Sequence, residues 1–402
     1  MHIGFVTTES PYGDRSTCGI AAYLRAMIPA LVDAGHRVTV FANSKDNRSF
    51  YAEDGRVPVY QFRLPSAHWY AAKVPGVRRL APLPLRQLEW SAAFYRRVAR
   101  IARQEKIDVL ESTEAGALFL SRIAPLVIRL HGSEFVFRKH SGMPLDRSVK
   151  WNDSLEAYSS RRAAAITTPS QFQANEIINH RGWSSDRIRV IPNPISGTML
   201  KAALQFERNG ASEPIVLYTG RLAPVKGIET LLEAAKLVHD CAPAVTFVLA
   251  GPWQMPHPPE TYGLQLNRRS SNGVEWVGPQ EQNELVDWYK RAALFVMPSY
   301  YESFGISLVE AMAFGLPVVA THSGGPGEII GSTGRSSFVP KQNPKALAEA
   351  IIGLCAETRP CEHRAATRSA LQKFDPTRIA EETMRFYEVV ISEFSSKQSV
   401  AV

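Results

Sequence analysis

The stretch Pro298-Ser299-Tyr300-Tyr301-Glu302-Ser303-Phe304-Gly305-Ile306-Ser307-Leu308-Val309-Glu310 carries two carboxylates eight positions apart, on a segment that turns from loop into an almost wholly apolar helix. Such a helix has to be buried. Glu310, its one charge, then needs a hydrogen-bonding partner or a polar cavity, because an unpaired carboxylate there costs on the order of several kcal/mol. At the rise of an α-helix the two carboxylates stand about 12 Å apart along the helix direction, somewhat more or less if Glu302 is still in the loop. That span suits a nucleotide sugar. Between them the amides of Gly305, Ile306, Ser307 and Leu308 fall at a helix N-terminus, where unpaired N–H groups and the helix dipole favour phosphate. The plainer reading is a capped core helix with a structural salt bridge.

A second cluster, Gly220-Arg221-Leu222-Ala223-Pro224-Val225-Lys226-Gly227, also stands at the entrance to a helix. Gly220 serves a tight turn, Arg221 can grip phosphate oxygens bidentately, and Lys226 adds a point charge. Two cations near a helix start are electrostatically unfavourable without an anion, which argues against a merely solvated surface. His131 ends an apolar run and precedes Gly132; a satisfied core histidine is the ordinary alternative. Gly325-Pro326-Gly327-Glu328-Ile329-Ile330-Gly331 resembles a dinucleotide fingerprint, but its last glycine comes one residue late. No Asp-x-Asp pair is present to hold a metal, so neither a catalytic metal nor a cofactor is expected.

The elements that must position these residues follow an α/β rhythm. Short β-branched runs at 2–8, 37–42, 57–62, 108–111, 127–131, 164–168 and 188–192 alternate with helical stretches, as parallel βαβ units do. A second series begins at 215–219 and continues at 245–250, 274–277, 294–297, 317–321 and 336–339. Between the series, residues 192–214 gather Pro, Gly, Asn and Ser and read as a linker. The expected division is an N-terminal domain over 1–195 and a C-terminal domain over 196–375. A closing amphipathic helix, 376–395, is expected to cross back to the first domain, and the residues after it are expected to fray. Ligands of open α/β sheets bind beyond the carboxyl ends of the strands, so the clusters belong on post-strand loops.

With its E-x7-E segment and G-R-x4-K-G loop, the chain resembles the retaining glycosyltransferases of family four, which have the GT-B fold of two facing Rossmann-like domains. The resemblance covers nearly the whole chain and includes the glycine loop after the first strand, His131-Gly132, Val190-Ile191-Pro192-Asn193-Pro194 and Gly324-Gly325-Pro326-Gly327-Glu328. It implies that Glu302 binds donor-sugar hydroxyls, Glu310 the ribose, and Arg221 and Lys226 the diphosphate. It implies too that Gly19 lets the backbone approach the phosphates and that His131 touches the transferred sugar. Arg15 and Glu134 are weaker neighbours for contacts with the acceptor or the cleft. The family usually has two adjacent glycines in the first loop, where this chain has Cys18 before Gly19.

Composition bounds the rest. With 402 residues, 45% hydrophobic and 21% charged, the chain suits an ordinary globular protein of two domains. No run approaches the roughly 18 apolar residues of a membrane span, and the opening residues are too short an apolar run for a signal peptide, so a cytoplasmic location is expected. Four scattered cysteines indicate neither a disulfide framework nor a zinc site. Residues 1–197 hold 27 Lys+Arg against 17 Asp+Glu, while the remainder is net −2, so an anionic partner is expected on the first half. Nine of those cations lie between Lys73 and Lys106, interleaved with Trp90, Phe94 and Tyr95, a pattern that suits an anionic membrane surface or a solvated Arg-rich helix. The expected partners are therefore a nucleotide-sugar donor, a glycan or lipid-linked acceptor and the inner face of a membrane. Rival readings are a nucleotide-sugar epimerase or sugar phosphorylase of related fold and, in another class, a basic nucleic-acid-binding protein. The last lacks aromatic readout motifs and known docking modules, so no nucleic-acid partner is expected.

Overall fold

A computed structural model of the chain describes residues 1–12, 19–53, 55–77, 82–207, 213–330, 336–356 and 371–400, with side chains to 397. The chain divides into two compact units. One comprises Met1–Ser16, Tyr23–Pro192 and Pro376–Val402; the other comprises Thr17–Ala22 and Asn193–Asp375.

The first unit is built on an eight-stranded sheet of order β3-β4-β2-β1-β5-β6-β7-β8. Its strands are β1 (His2–Thr7), β2 (Arg37–Ser44), β3 (Arg48–Ala52), β4 (Val57–Arg63), β5 (Val109–Thr113), β6 (Leu126–Arg129), β7 (Ala165–Thr168) and β8 (Ile188–Val190). All pairings are parallel except β3 with β4. β1 and β5 are buried along their whole length, as expected of strands covered on both faces. Helices α1 (Gly19–Asp33), α2 (Ala67–Ala71), α3 (Pro82–Glu105), α4 (Glu134–His140), α5 (Arg147–Arg162) and α6 (Gln171–Arg181) connect them. The edge strand β3 has no counterpart in the sequence expectations: it is five residues long and largely exposed, so it shows no apolar alternation.

The second unit has a parallel sheet of order β11-β10-β9-β12-β13-β14, made of β9 (Ile215–Thr219), β10 (Thr246–Ala250), β11 (Val274–Gly278), β12 (Leu294–Met297), β13 (Val318–Thr321) and β14 (Ser336–Val339). Helices α7 (Gly197–Gln205), α8 (Ile228–Cys241), α9 (Gln282–Arg291), α10 (Ile306–Ala313), α11 (Gly325–Ile330) and α12 (Pro344–Ala356) accompany it. α7 corrects the expected linker. Ser196 caps it by accepting from the Met199 amide at 3.2 Å, and Met199 and Ala203, one turn apart, enter the core beside α10. Nine residues with two buried positions are too few to show a period among the neighbouring Pro and Gly.

The closing helix, α13 (Pro376–Val400), packs with the first unit and continues past the expected end at 395. Tyr387 reaches from it to the buried Glu111 on β5, donating to Oε2 at 2.5 Å, while Tyr23 of α1 donates to Oε1 at 3.0 Å. Burial pushes the Glu111 carboxyl up, and Arg129 and the two phenols oppose the shift.

Candidate active site

In the second unit the loops after β9, β12 and β13 are tied into one surface by backbone contacts that exclude side chains. Gly227, at φ +69°, lies where a Cβ would stand 2.1 Å from the Pro298 carbonyl oxygen. Gly251, at φ +151°, would place its Cβ 1.8 Å from the Gly220 carbonyl oxygen. The Tyr300 amide donates to the Val225 carbonyl at 2.7 Å and the Glu302 amide to that of Ser323 at 2.9 Å. Gly325 donates back to the Glu302 carbonyl at 3.0 Å, and a Cβ there would meet the Phe304 backbone at 2.5 Å. Gly325 thus lets two loops close-pack, a packing reason for this glycine that needs no dinucleotide, while Gly331 lies outside the described residues.

On this surface Lys226 and Glu302, 76 positions apart, form an ion pair at 2.5 Å with both side chains largely shielded from solvent. Glu302 is in extended backbone, bridged to Gly324, and only Glu310 rides on α10. The helical rise therefore applies to part of the interval between the carboxylates. Gly305 caps α10 in the left-handed region, φ +104°, and a Cβ on it would lie 3.6 Å from Glu302 Cγ. The Leu308 and Val309 amides both turn back to the Gly305 carbonyl, at 3.1 and 3.2 Å. Among the described residues, the amides of Gly305, Ile306 and Ser307 have no backbone acceptor. Leu308, expected with them, is already bonded because the first turn of the helix is tight.

The partner that Glu310 required is Tyr289 of α9, whose hydroxyl donates to Oε2 at 2.9 Å. With that proton committed, Thr219 at the end of β9 donates to the Tyr289 oxygen at 2.8 Å. Burial, and then the Glu310 charge, push the Tyr289 phenol well up, so it stays protonated. Tyr218, also pushed up by burial and next by the Glu302 charge, donates to the Arg221 carbonyl at 2.8 Å and so shapes the turn at Gly220. The Arg221 guanidinium has a 3.4 Å contact with Gln254 Oε1 and is half-exposed. The arrangement offers two cations, three open amides and two carboxylates along the carboxyl ends of β9 and β12.

In the first unit, His131 follows β6, its ring 5.3 Å from that of Tyr23 and tilted by 57°. Burial, and then the Arg129 charge, lower its pKa to about 3, so the imidazole is neutral. The segment from His131 to Ser133 is met by carboxylates that sequence reasoning missed. Glu114 accepts from the Gly132 amide at 3.2 Å and more weakly from that of His131 at 3.5 Å. Its place just past the end of β5 was the available signal. Glu156 of α5 accepts from Asn152 at 2.9 Å and lies 3.7 Å from Arg181. Burial, and then the charge of Glu114, push its carboxyl up to about 8. Glu134 opens α4 and is paired with Arg138 at 2.7 Å, one turn on. Gly19 is the first residue of α1 and has open space where a Cβ would be. Arg15 lies outside the described residues, as do Cys18, Arg78 and Arg79.

The basic segment is corrected in part. Phe94 is wholly buried, and Tyr95 packs edge-on against Phe119 at 6.3 Å, because the apolar period of α3 turns this face onto the sheet. Trp90 donates to the Pro65 carbonyl at 3.3 Å. Exposed aromatics near this segment are Trp69 and Tyr70, in α2. Among the described residues no group of His, Cys, Asp or Glu has the geometry of a metal site, and no helix is long and apolar enough to cross a membrane.

Two family models match the chain in succession. Residues 17–196 match the model of Glycosyltransferase Family 4, and residues 202–373 match that of Glycosyl transferases group 1. An uncharacterised glycosyltransferase of Methanocaldococcus jannaschii is 27% identical over 97% of this chain and 99% of its own. Among solved structures, a sucrose-phosphate synthase from Thermosynechococcus elongatus superposes with a TM-score of 0.73 at 21% identity, covering 98% of this chain and 99% of that one. Anabaena HepE in complex with UDP-glucose does so with a TM-score of 0.63 at 20% identity, covering 99% and 100%.

Proposed function

Since the chain belongs to the family-four glycosyltransferases of GT-B fold, we propose that it moves a hexose-type sugar from a nucleotide-sugar donor to a hydroxyl of a glycan or lipid-linked acceptor, with retention of configuration and without a metal. The observation that carries this reading is the Lys226–Glu302 ion pair beside the open amides of Gly305, Ile306 and Ser307. A bound diphosphate would draw Lys226 away from Glu302 and take the amides and Arg221 as further partners. Glu302, released, would accept from hydroxyls of the donor sugar, and Glu310, oriented by Tyr289, from the ribose. HepE, whose fold this chain shares, was solved with UDP-glucose, which supports a donor of that chemical class.

In the transfer the acceptor hydroxyl oxygen bonds to C1 of the sugar, and the bond from C1 to the diphosphate breaks, its electron pair staying on phosphate. The hydroxyl proton passes to that phosphate oxygen, on the face the leaving group departs from. Negative charge grows on the diphosphate as the sugar becomes oxocarbenium-like, and fixed cations and amides stabilise it without reorganising. Neutral His131 would contact the transferred sugar as a hydrogen-bond partner. The acceptor would dock on the basic first unit, whose exposed Trp69 and Tyr70 beside the cations of α3 suit the surface of an anionic membrane.

The reading is tested by offering the chain a panel of nucleotide sugars without acceptor and following slow hydrolysis by proton NMR. Nucleoside diphosphate should appear with at least one donor, and the sugar released first should carry the donor's anomeric configuration. Release of the opposite anomer would contradict retention, and no cleavage of any donor would contradict the transferase reading.

A further inference from the structure

Four titratable side chains that the transfer chemistry does not use are buried together in the first unit: Tyr23 of α1, Glu111 of β5, Arg129 of β6 and Tyr387 of α13. Both oxygens of the Glu111 carboxylate accept from phenols, Oε1 from Tyr23 at 3.0 Å and Oε2 from Tyr387 at 2.5 Å. Burial pushes both phenols well up, so they stay protonated and donate. The Arg129 guanidinium lies 4.2 Å over the Tyr23 ring and donates to the Ile191 carbonyl at 2.8 Å and to that of Pro192 at 3.4 Å. Its charge also acts on Glu111, opposing the effect of burial on that carboxyl. Buried opposite charges are weak evidence for stability, since apolar side chains of similar volume often hold a core as well or better. What an assembly of satisfied polar partners does supply is a single geometry.

That geometry bears on His131. Sheet pairing runs on past Arg129, because the Leu130 amide donates to the Thr167 carbonyl at 2.8 Å. Arg129 and His131, two positions apart on this extended backbone, therefore leave the same face. Both meet the same aromatic ring: Arg129 lies over Tyr23, and the His131 ring stands with its centroid 5.3 Å from that of Tyr23, tilted by 57°. The Tyr23 ring is in turn fixed at its hydroxyl end by Glu111. An imidazole packed against a ring takes its orientation from that ring, and chemistry needs its groups held to within about 0.5 Å by a packed and hydrogen-bonded support. Tyr387 brings α13 into the same assembly. Tyr23 and Pro192 are where the chain enters and leaves this unit, and the start of α13 is where it returns.

We propose that Tyr23, Glu111, Arg129 and Tyr387 are positioning residues for His131: the carboxylate fixes both phenols, the Tyr23 ring fixes the imidazole, and the returning helix takes part through Tyr387. Their bearing on catalysis rests on the transferase reading, in which His131 meets the transferred sugar.

Selective carbon-13 labelling of the histidine Cε1 positions gives the full chain a ring resonance for His131, assigned by its absence from His131→Asn. Tyr387→Phe and Tyr23→Phe each keep the ring and remove one phenol donor to Glu111. In both, the His131 resonance should move by more than its line width or broaden, while that of the exposed His257 in the second unit stays in place. With a donor that the wild type cleaves, kcat should fall about tenfold in both variants and the donor KM should stay within about twofold, since Lys226, Arg221 and Glu302 are untouched. Thr383→Val separates positioning from packing. It removes a different buried hydroxyl of α13, which donates at 2.8 Å to the Ile379 carbonyl of the same helix. Whatever it does to the melting temperature, it should leave the His131 resonance and kcat as in the wild type. A His131 resonance that stays in place in either phenylalanine variant, or that moves as far in Thr383→Val, overturns the proposal, as does a donor KM that rises in step with the fall in kcat. A wild type that cleaves no donor counts against the transferase reading alone, because the resonances report the place of the imidazole without turnover.

Discussion

Glu156 is buried among Ser133, Asn152 and Arg181, and the charge of neighbouring Glu114 adds to the cost of ionising it. Its pKa, raised from 4.5 to about 8, means that the folded chain holds a proton that the unfolded chain releases above its ordinary value. The contribution to stability is fully present below pH 4.5 and is lost as pH rises toward 8, at about 1.4 kcal/mol per pH unit for an uncoupled group. Glu156→Gln keeps the oxygen that accepts from Asn152 and removes the titration. Urea unfolding at about pH 5 and about pH 8 should therefore show the wild type losing on the order of 3 kcal/mol more than the variant across that interval. Equal losses would contradict the assignment. His131 was legible in the sequence because it closes a strand before a glycine. The carboxylates along the segment that follows it were not, because Glu114 reaches the amides of His131 and Gly132, and Glu156 the hydroxyl of Ser133, only when β5, β6 and α5 are packed.

Among the elements, the strands were the most legible, since continuous β-branched runs such as Ile215–Thr219 and Leu294–Met297 are bounded by turn residues. α10 was legible too, from its apolar run and the glycine before it. The partners of its two ends were hidden: Tyr289 lies on α9 and Lys226 on the loop after β9, and no local pattern shows which loops a parallel sheet will bring together. β3 and α7 escaped because a short edge strand and a two-turn helix bury too few side chains to show a period. α2 and α3 carry a consequence of the observed packing. α3 buries Phe94, Val98 and Ala102 and presents Arg96, Arg100 and Arg103 to solvent, while Lys73 sits 3.8 Å over the exposed Trp69 ring. The chain should sediment with vesicles containing anionic lipid at low salt and less so as salt rises, and Trp69→Ala/Tyr70→Ala should weaken that binding. No sedimentation at low salt would contradict docking through these elements.

Across the whole molecule the charge is divided with the chain, net +10 through Gly197 and −2 beyond it. The nearly neutral part holds the E-x7-E segment and the G-R-x4-K-G loop, so under the proposed function donor recognition would rest on a few placed groups and not on a general field: Lys226 and Arg221, beside the amides that open α10. The most direct test is the rate of nucleoside diphosphate release from the hydrolysed donor in the wild type, Lys226→Ala and Arg221→Ala, each checked for an unchanged melting temperature. Lys226→Ala should lower the rate by about 100-fold or more and Arg221→Ala by about tenfold or more, because a lost cation leaves charge on the departing diphosphate unbalanced. Turnover at the wild-type rate in both variants would contradict the account.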